Sequence, residues 1–112
     1  MSKIRVLFLG TPDFAAASLE RLIQDDDHYE IAAVITQPDR PAGRKMQLKP
    51  SPVKELALKH GLEVLTPESV NTEEFLAKIK SYGAESAAVV AFGQILSQKF
   101  LDLFPRGCVN VH

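Results

Sequence analysis

The sequence predicts an open, mostly parallel α/β sheet covered by helices on both faces, and three observations point there. Apolar runs of strand length alternate with segments of helical period along the whole chain. Helix-start signals such as Ser51-Pro52 and stop signals such as Gly61 and Gly83 punctuate those segments. At 112 residues, 46% of them hydrophobic and 24% charged, the chain can bury one sizeable core as a single domain.

Ile4 to Leu9 reads as the first strand. Gly10-Thr11-Pro12-Asp13 then offers a turn, an N-cap and a proline suited to a first helical position. The helix should run to about Gln24, with Ala15, Leu19, Leu22 and Ile23 forming the stripe that packs on the sheet. Ile31 to Ile35 is the second strand. Ser51-Pro52 opens the next helix, in which Val53, Leu56, Ala57 and His60 mark one face before Gly61 ends it. Leu62 to Leu65 is a short third strand. Asn71 and Glu74 have the N-cap to N3 spacing of a capping box, followed by Phe75, Leu76 and Ile79 and closed by Gly83. Ala87 to Phe92 reads as a central buried strand, Ser97 to about Phe104 as a short helix, and Cys108 to His112 as the last strand.

Fifteen residues separate the second strand from the helix start at Ser51, whereas connections in α/β units commonly take roughly 2–6. The stretch from Gln37 to Lys54 holds five bases (Arg40, Arg44, Lys45, Lys49, Lys54) against Asp39. It therefore carries +4 in a chain of net charge −1, and the remainder sums to −5. A cationic arm on an acidic body suits a polyanion gripped at one place, RNA or a phosphorylated substrate. The bland alternative is a solvated loop, and composition alone weighs the two evenly.

Other classes recede. A lone cysteine, Cys108, makes neither a disulfide framework nor a zinc motif and suits a reducing compartment. The start Met1-Ser2-Lys3-Ile4 runs straight into a strand without a signal segment, and no apolar run approaches the roughly 20 residues a membrane helix needs. The cytoplasm is the expected compartment. His28, His60 and His112 are scattered, and Asp25-Asp26-Asp27 lack further ligands at calcium-loop spacing, so no metal is expected.

In open parallel sheets ligands bind beyond the carboxyl ends of the strands, where strand order reverses. Three ends matter: Gly10-Thr11-Pro12, Phe92 to Leu96, and Asn110 to His112. The first lacks the three spaced glycines of a dinucleotide fingerprint, and Pro12 removes an N–H donor. On the last strand Asn110 and His112 share a face, about 6.6 Å apart along it. A carbonyl carbon fits between them, with the amide stabilising an oxyanion and the imidazole moving protons, although a structural histidine is the commoner reading of such spacing. Cys108 shares that face but lies roughly 13 Å from His112, too far for a thiol-imidazole dyad, and reads as a small core residue.

Taken together, Gly10-Thr11-Pro12-Asp13-Phe14-Ala15, Thr36-Gln37-Pro38-Asp39-Arg40-Pro41-Ala42-Gly43-Arg44, Pro50-Ser51-Pro52-Val53-Lys54, Ala91-Phe92-Gly93-Gln94-Ile95-Leu96 and Asn110-Val111-His112 resemble the methionyl-tRNA formyltransferases. The resemblance covers this whole chain and only the opening portion of the family's length. It implies a Rossmann-like N-terminal domain and transfer of a formyl group from 10-formyltetrahydrofolate to the α-amine of initiator methionyl-tRNA. Asn110 then matches the residue bonding the formyl oxygen and His112 the one handling protons. Phe92, Gly93, Gln94, Ile95 and Leu96 match the lining of the folate's pterin pocket. The arm matches the tRNA-recognition insertion, with Arg44 foremost and Arg40, Lys45 and Lys49 as phosphate contacts.

The family continues past this histidine with a Ser-Leu-Leu-Pro turn, a later aspartate and a C-terminal barrel. On that reading residues 1–112 are a truncated part of the catalytic domain, expected to be inactive alone, and the full-length form is a bacterial-type cytoplasmic monomer without a metal. Two rivals remain at this stage. A folate-dependent formyltransferase acting on another amine would share the Asn-x-His strand but not the Pro-Asp-Arg-Pro-Ala-Gly-Arg insertion. A non-catalytic RNA-binding module would use the arm and leave Asn110 and His112 structural.

Overall fold

A computed structural model describes residues 3–42 and 47–111. Its frame is a five-stranded parallel sheet of β1 (Ile4–Gly10), β2 (Tyr29–Ile35), β5 (Val64–Leu65), β6 (Ser86–Val90) and β7 (Cys108–Val111), in spatial order β5-β2-β1-β6-β7. The chain moves outward from β1 through β2 to β5, then crosses back to β6 on the other side of β1. This is the doubly wound arrangement, and its order reverses between β1 and β6.

Strand residues alternate between two apolar clusters. Phe8, Val34 and Val90 face α1 (Asp13–Gln24) and α2 (Pro52–Lys59), where they meet Ala15, Leu19, Val53 and Ala57. Leu7, Leu9, Ala33, Ile35, Ala87 and Val89 face the opposite side, covered by Ile79 of α3 (Glu73–Ser81), Phe100 of α4 (Gln98–Leu101) and Phe104. Burying each large side chain contributes roughly 1.5–3 kcal/mol before conformational entropy is charged against it. The stripe expected on the first helix is the one that packs, with Leu22 and Ile23 at its margin.

Local signals explain most helix ends. Ser51 caps α2 by accepting the Lys54 N–H at 3.0 Å, with Pro52 in the first turn and Gly61 at φ 70° beyond the last. Gly83 follows α3 at φ 65°. Two caps differ from expectation. Thr72, not Asn71, caps α3 by accepting the Phe75 N–H, which removes the capping box. Pro12 occupies the cap position of α1, and the Thr11 hydroxyl turns away to donate to the Phe92 carbonyl at 2.8 Å. In both cases a tertiary hydrogen bond outcompetes the local cap.

The long connection is not bare loop. It contains an antiparallel hairpin of β3 (Arg40–Ala42) and β4 (Gln47–Lys49), paired Arg40 to Lys49, Pro41 to Leu48 and Ala42 to Gln47. Both roots are tied to the body. The buried Thr36 hydroxyl meets the Ser51 hydroxyl at 2.7 Å, and Lys54 Nζ reaches both Asp39 carboxylate oxygens at 3.0 and 3.2 Å. Among the described residues no helix is long and apolar enough to cross a membrane.

Candidate active site at the sheet switch point

The ends of β1 and β6 meet where the strand order reverses, and the chain beyond β6 is bent there. Ala91 has φ 50° and Gly93 has φ 100°. The first is a conformation that a residue with a Cβ adopts at a cost of order 1–3 kcal/mol, and it persists where neighbours hold it. Those neighbours are on three sides. Thr11 after β1 binds the Phe92 carbonyl, Gln37 after β2 receives a hydrogen bond from Gln94, and Asn71 grips the far end. The Asn71 amide donates to the Ile95 carbonyl at 2.8 Å and accepts the Ser97 N–H at 2.9 Å, which is where its capping potential has gone.

A cleft of about 390 Å³ opens at this bend, lined by Phe14, Val89, Ala91, Phe92, Gly93, Gln94 and Asn110. It falls within the range of small-molecule sites. Asn110 stands opposite Val89 in the β6–β7 ladder and is exposed, so the expected catalytic amide does reach the cleft. His112 lies outside the described residues. Among the described residues the lining contributes neutral dipoles, the carboxamides of Gln94 and Asn110 and the bent main chain. Two residues before Asn110, Cys108 packs against the core on the α3 and α4 side, and burial pushes its thiol above its ordinary range.

The five residues expected to line a pterin pocket divide in role. The Phe92 ring is core, 2% exposed, and brings mainly its main chain to the cleft. Gly93 is exposed, and a Cβ there would lie 2.8 Å from Gln37 Nε2. Gln94 points its amide into a hydrogen-bond network rather than into the opening. Ile95 is 87% exposed, while Leu96 packs against the core. Of the arm cations, Lys49 is exposed on β4 and Arg40 contributes its backbone to β3; Arg44 and Lys45 lie outside the described residues. Asp39 and Lys54 neutralise one another, which leaves the arm its four other bases.

Phe14, 54% exposed at the cleft, and Gln37 were not singled out from sequence. Phe14 falls outside the apolar stripe of its helix, a signal that it faces something other than the sheet. Ala91 carries no sequence signal of its positive φ. Among the described residues no group of three or more His, Cys, Asp or Glu is placed to hold a metal ion.

The formyl transferase family pattern matches residues 2–112. The methionyl-tRNA formyltransferase of Bdellovibrio bacteriovorus is 63% identical over 113 residues, covering 100% of this chain and 35% of that protein. That of Symbiobacterium thermophilum is 49% identical over 109 residues, covering 97% of this chain and 33% of its own. The chain thus spans about a third of the length of these relatives. Among solved structures, phosphoribosylglycinamide formyltransferase from Bacillus halodurans superposes with a TM-score of 0.70 at 18% identity, covering 96% of this chain and 55% of that one. The enzyme of that name from Campylobacter jejuni gives 0.64 at 25% identity, with 97% and 57% covered.

Proposed function

The chain belongs to the formyl transferase family, and from that premise we propose that it forms part of a catalytic domain transferring a formyl group from 10-formyltetrahydrofolate to the α-amine of initiator methionyl-tRNA. The observation that carries this reading is a juxtaposition: the cationic arm is rooted beside the cleft, its first residue Gln37 bonded to Gln94 of the cleft segment. One face would grip a polyanion while the neighbouring cleft takes a small molecule. The names of the two relatives described above, methionyl-tRNA formyltransferases, support the tRNA acceptor and the formyl group.

The folate, when bound, would supply an activated formyl carbon; the amine nitrogen bonds to it, the bond to the folate nitrogen breaks, and the proton lost by the amine is the one the departing folate nitrogen gains. The Asn110 carboxamide, which lines the cleft, is assigned to the formyl oxygen, where negative charge develops. His112, by its position two residues on, is assigned the proton. No enzyme nucleophile is needed, because an α-amine with a reference pKa of about 7.7–8.0 keeps a usable neutral fraction near pH 7. Arg40, Arg44, Lys45 and Lys49 are assigned to tRNA phosphates, with Arg44 favoured for its fork of donors.

The test is a titration of the isotope-labelled intact protein with a stable formyl-tetrahydrofolate analogue, followed through backbone amide shifts. Saturable shifts centred on residues 91–95 and on Asn110 are expected. A folded protein that shows none sinks the donor assignment.

A further inference from the structure

Gln94 sits in the cleft-lining segment, yet its carboxamide is already committed. Its Oε1 accepts the Val70 N–H at 3.0 Å, and its Nε2 donates to the Pro67 carbonyl at 3.3 Å and to Gln37 Oε1 at 3.0 Å. One partner is a main-chain donor and another a main-chain acceptor, so the amide has one satisfactory orientation, and both of its N–H groups are used. The same orientation sets Gln37 with its Oε1 toward Gln94 and its Nε2 against Gly93. Three segments that follow three different strands are thereby tied through a single side chain: residues 91–95 after β6, Gln37 after β2, and 67–70 after β5.

We infer that Gln94 is a positioning residue that does not itself touch the formyl donor but pins the bent segment Ala91 to Ile95 to the root of the cationic arm and to the Pro67–Val70 loop. The bend requires such a restraint. Ala91 holds φ 50°, costly for a residue with a Cβ, and such a residue relaxes unless its surroundings over-determine it; Gly93 at φ 100° continues the bend without that cost. Thr11 and Asn71 hold the carbonyls of Phe92 and Ile95; Gln94 holds the middle. A donor that recognises main-chain groups of this segment then binds a shape already made, and less ordering opposes its binding. The inference rests on the formyl-donor reading of the cleft.

The experiment compares Gln94→Met and Gln37→Met in the intact protein, reading donor KM against kcat and amide hydrogen exchange at Val70 without ligand. Gln37→Met removes one hydrogen bond and should raise donor KM by about fivefold, the equivalent of one net hydrogen bond. Gln94→Met removes three, so it should raise donor KM further, change kcat far less, and speed Val70 exchange. The double variant should be no worse than Gln94→Met, because the shared bond is already gone. A raised donor KM in Gln94→Met with Val70 protection unchanged makes Gln94 a direct donor contact and overturns the inference. So does an unchanged KM in both variants. Gln37→Met is the milder change and serves if Gln94→Met does not fold. Wild-type protein that binds no donor analogue is a different failure, recognised before any variant is compared; it overturns the donor reading and the inference with it.

Discussion

Gly10 shows how a single residue decides what a strand end can do. A Cβ there would lie 2.7 Å from that of Ala15, 2.8 Å from the Val90 carbonyl and 2.9 Å from the Phe8 ring. The glycine therefore serves the close approach of α1 to β1 and β6, and packing rather than phosphate binding accounts for it. Cys108 is the corresponding case on β7. Its neutral thiol is favoured by burial, so less thiolate is present at a given pH than in an exposed cysteine. Alkylation of the folded protein by iodoacetamide at pH 8 should accordingly be slower than in urea, and its rate should climb at higher pH than that of the unfolded chain. Equal folded and unfolded rates would show that the thiol is not buried. The sequence already suggested a core role for this residue, because reach along a strand is set by covalent geometry alone.

At the level of elements, two of the contacts at the arm's roots, beside the Gln37–Gln94 bond, differ in kind. The Asp39–Lys54 pair is about a quarter exposed on each side and adds little stability, though it fixes where the hairpin leaves the body. The Thr36–Ser51 contact involves a hydroxyl with 0% exposure. Ser51→Ala removes both the cap of α2 and the partner of that buried hydroxyl, and should cost about 2 kcal/mol in urea unfolding. Thr36→Val leaves the Ser51 cap on Lys54 intact, so it should cost less than 1 kcal/mol by the same reasoning. Equal losses in the two variants would dissolve the distinction. The cap at Ser51 was legible in the sequence because Ser-Pro at a helix start is a purely local code. The hairpin was not: its strands are three residues long, one contains Pro41, and Leu48 lies exposed, so no alternating pattern marks it. Asn71 misled for a related reason, since its best partners are Ile95 and Ser97, distant in sequence. The site followed the same division. Asn110 could be placed by strand alternation and by the rule for parallel sheets, whereas the bend at Ala91 and the commitment of Gln94 arise only once three loops are brought together.

Across the whole molecule the cleft joins a central wall to a peripheral one. β1 is hydrogen-bonded on both sides, by β2 and β6, and its residues Leu7, Phe8 and Leu9 enter both apolar clusters with at most 1% exposure. The bent segment is tied to that strand's end through Thr11 and Phe92. Among the described residues β7 pairs with β6 alone, and its Val109 is 59% exposed on the face where Ala88 and Val6 also border an open cleft. Among the described residues Asn110 therefore stands on the less secured wall. Native-state hydrogen exchange should find Leu7 to Leu9 opening only with global unfolding, and Val109 and Asn110 opening through a cheaper local route, by a gap of about 2 kcal/mol or more. A ligand that binds across the cleft stabilises the closed arrangement of both walls by mass action, so a formyl-tetrahydrofolate analogue should slow exchange on β7 far more than on β1. If β7 is as protected as β1 in the free protein, the carboxamide is already rigidly placed. Selective protection of β7 by the analogue would instead mean that ligand binding helps to fix the Asn110 carboxamide in position.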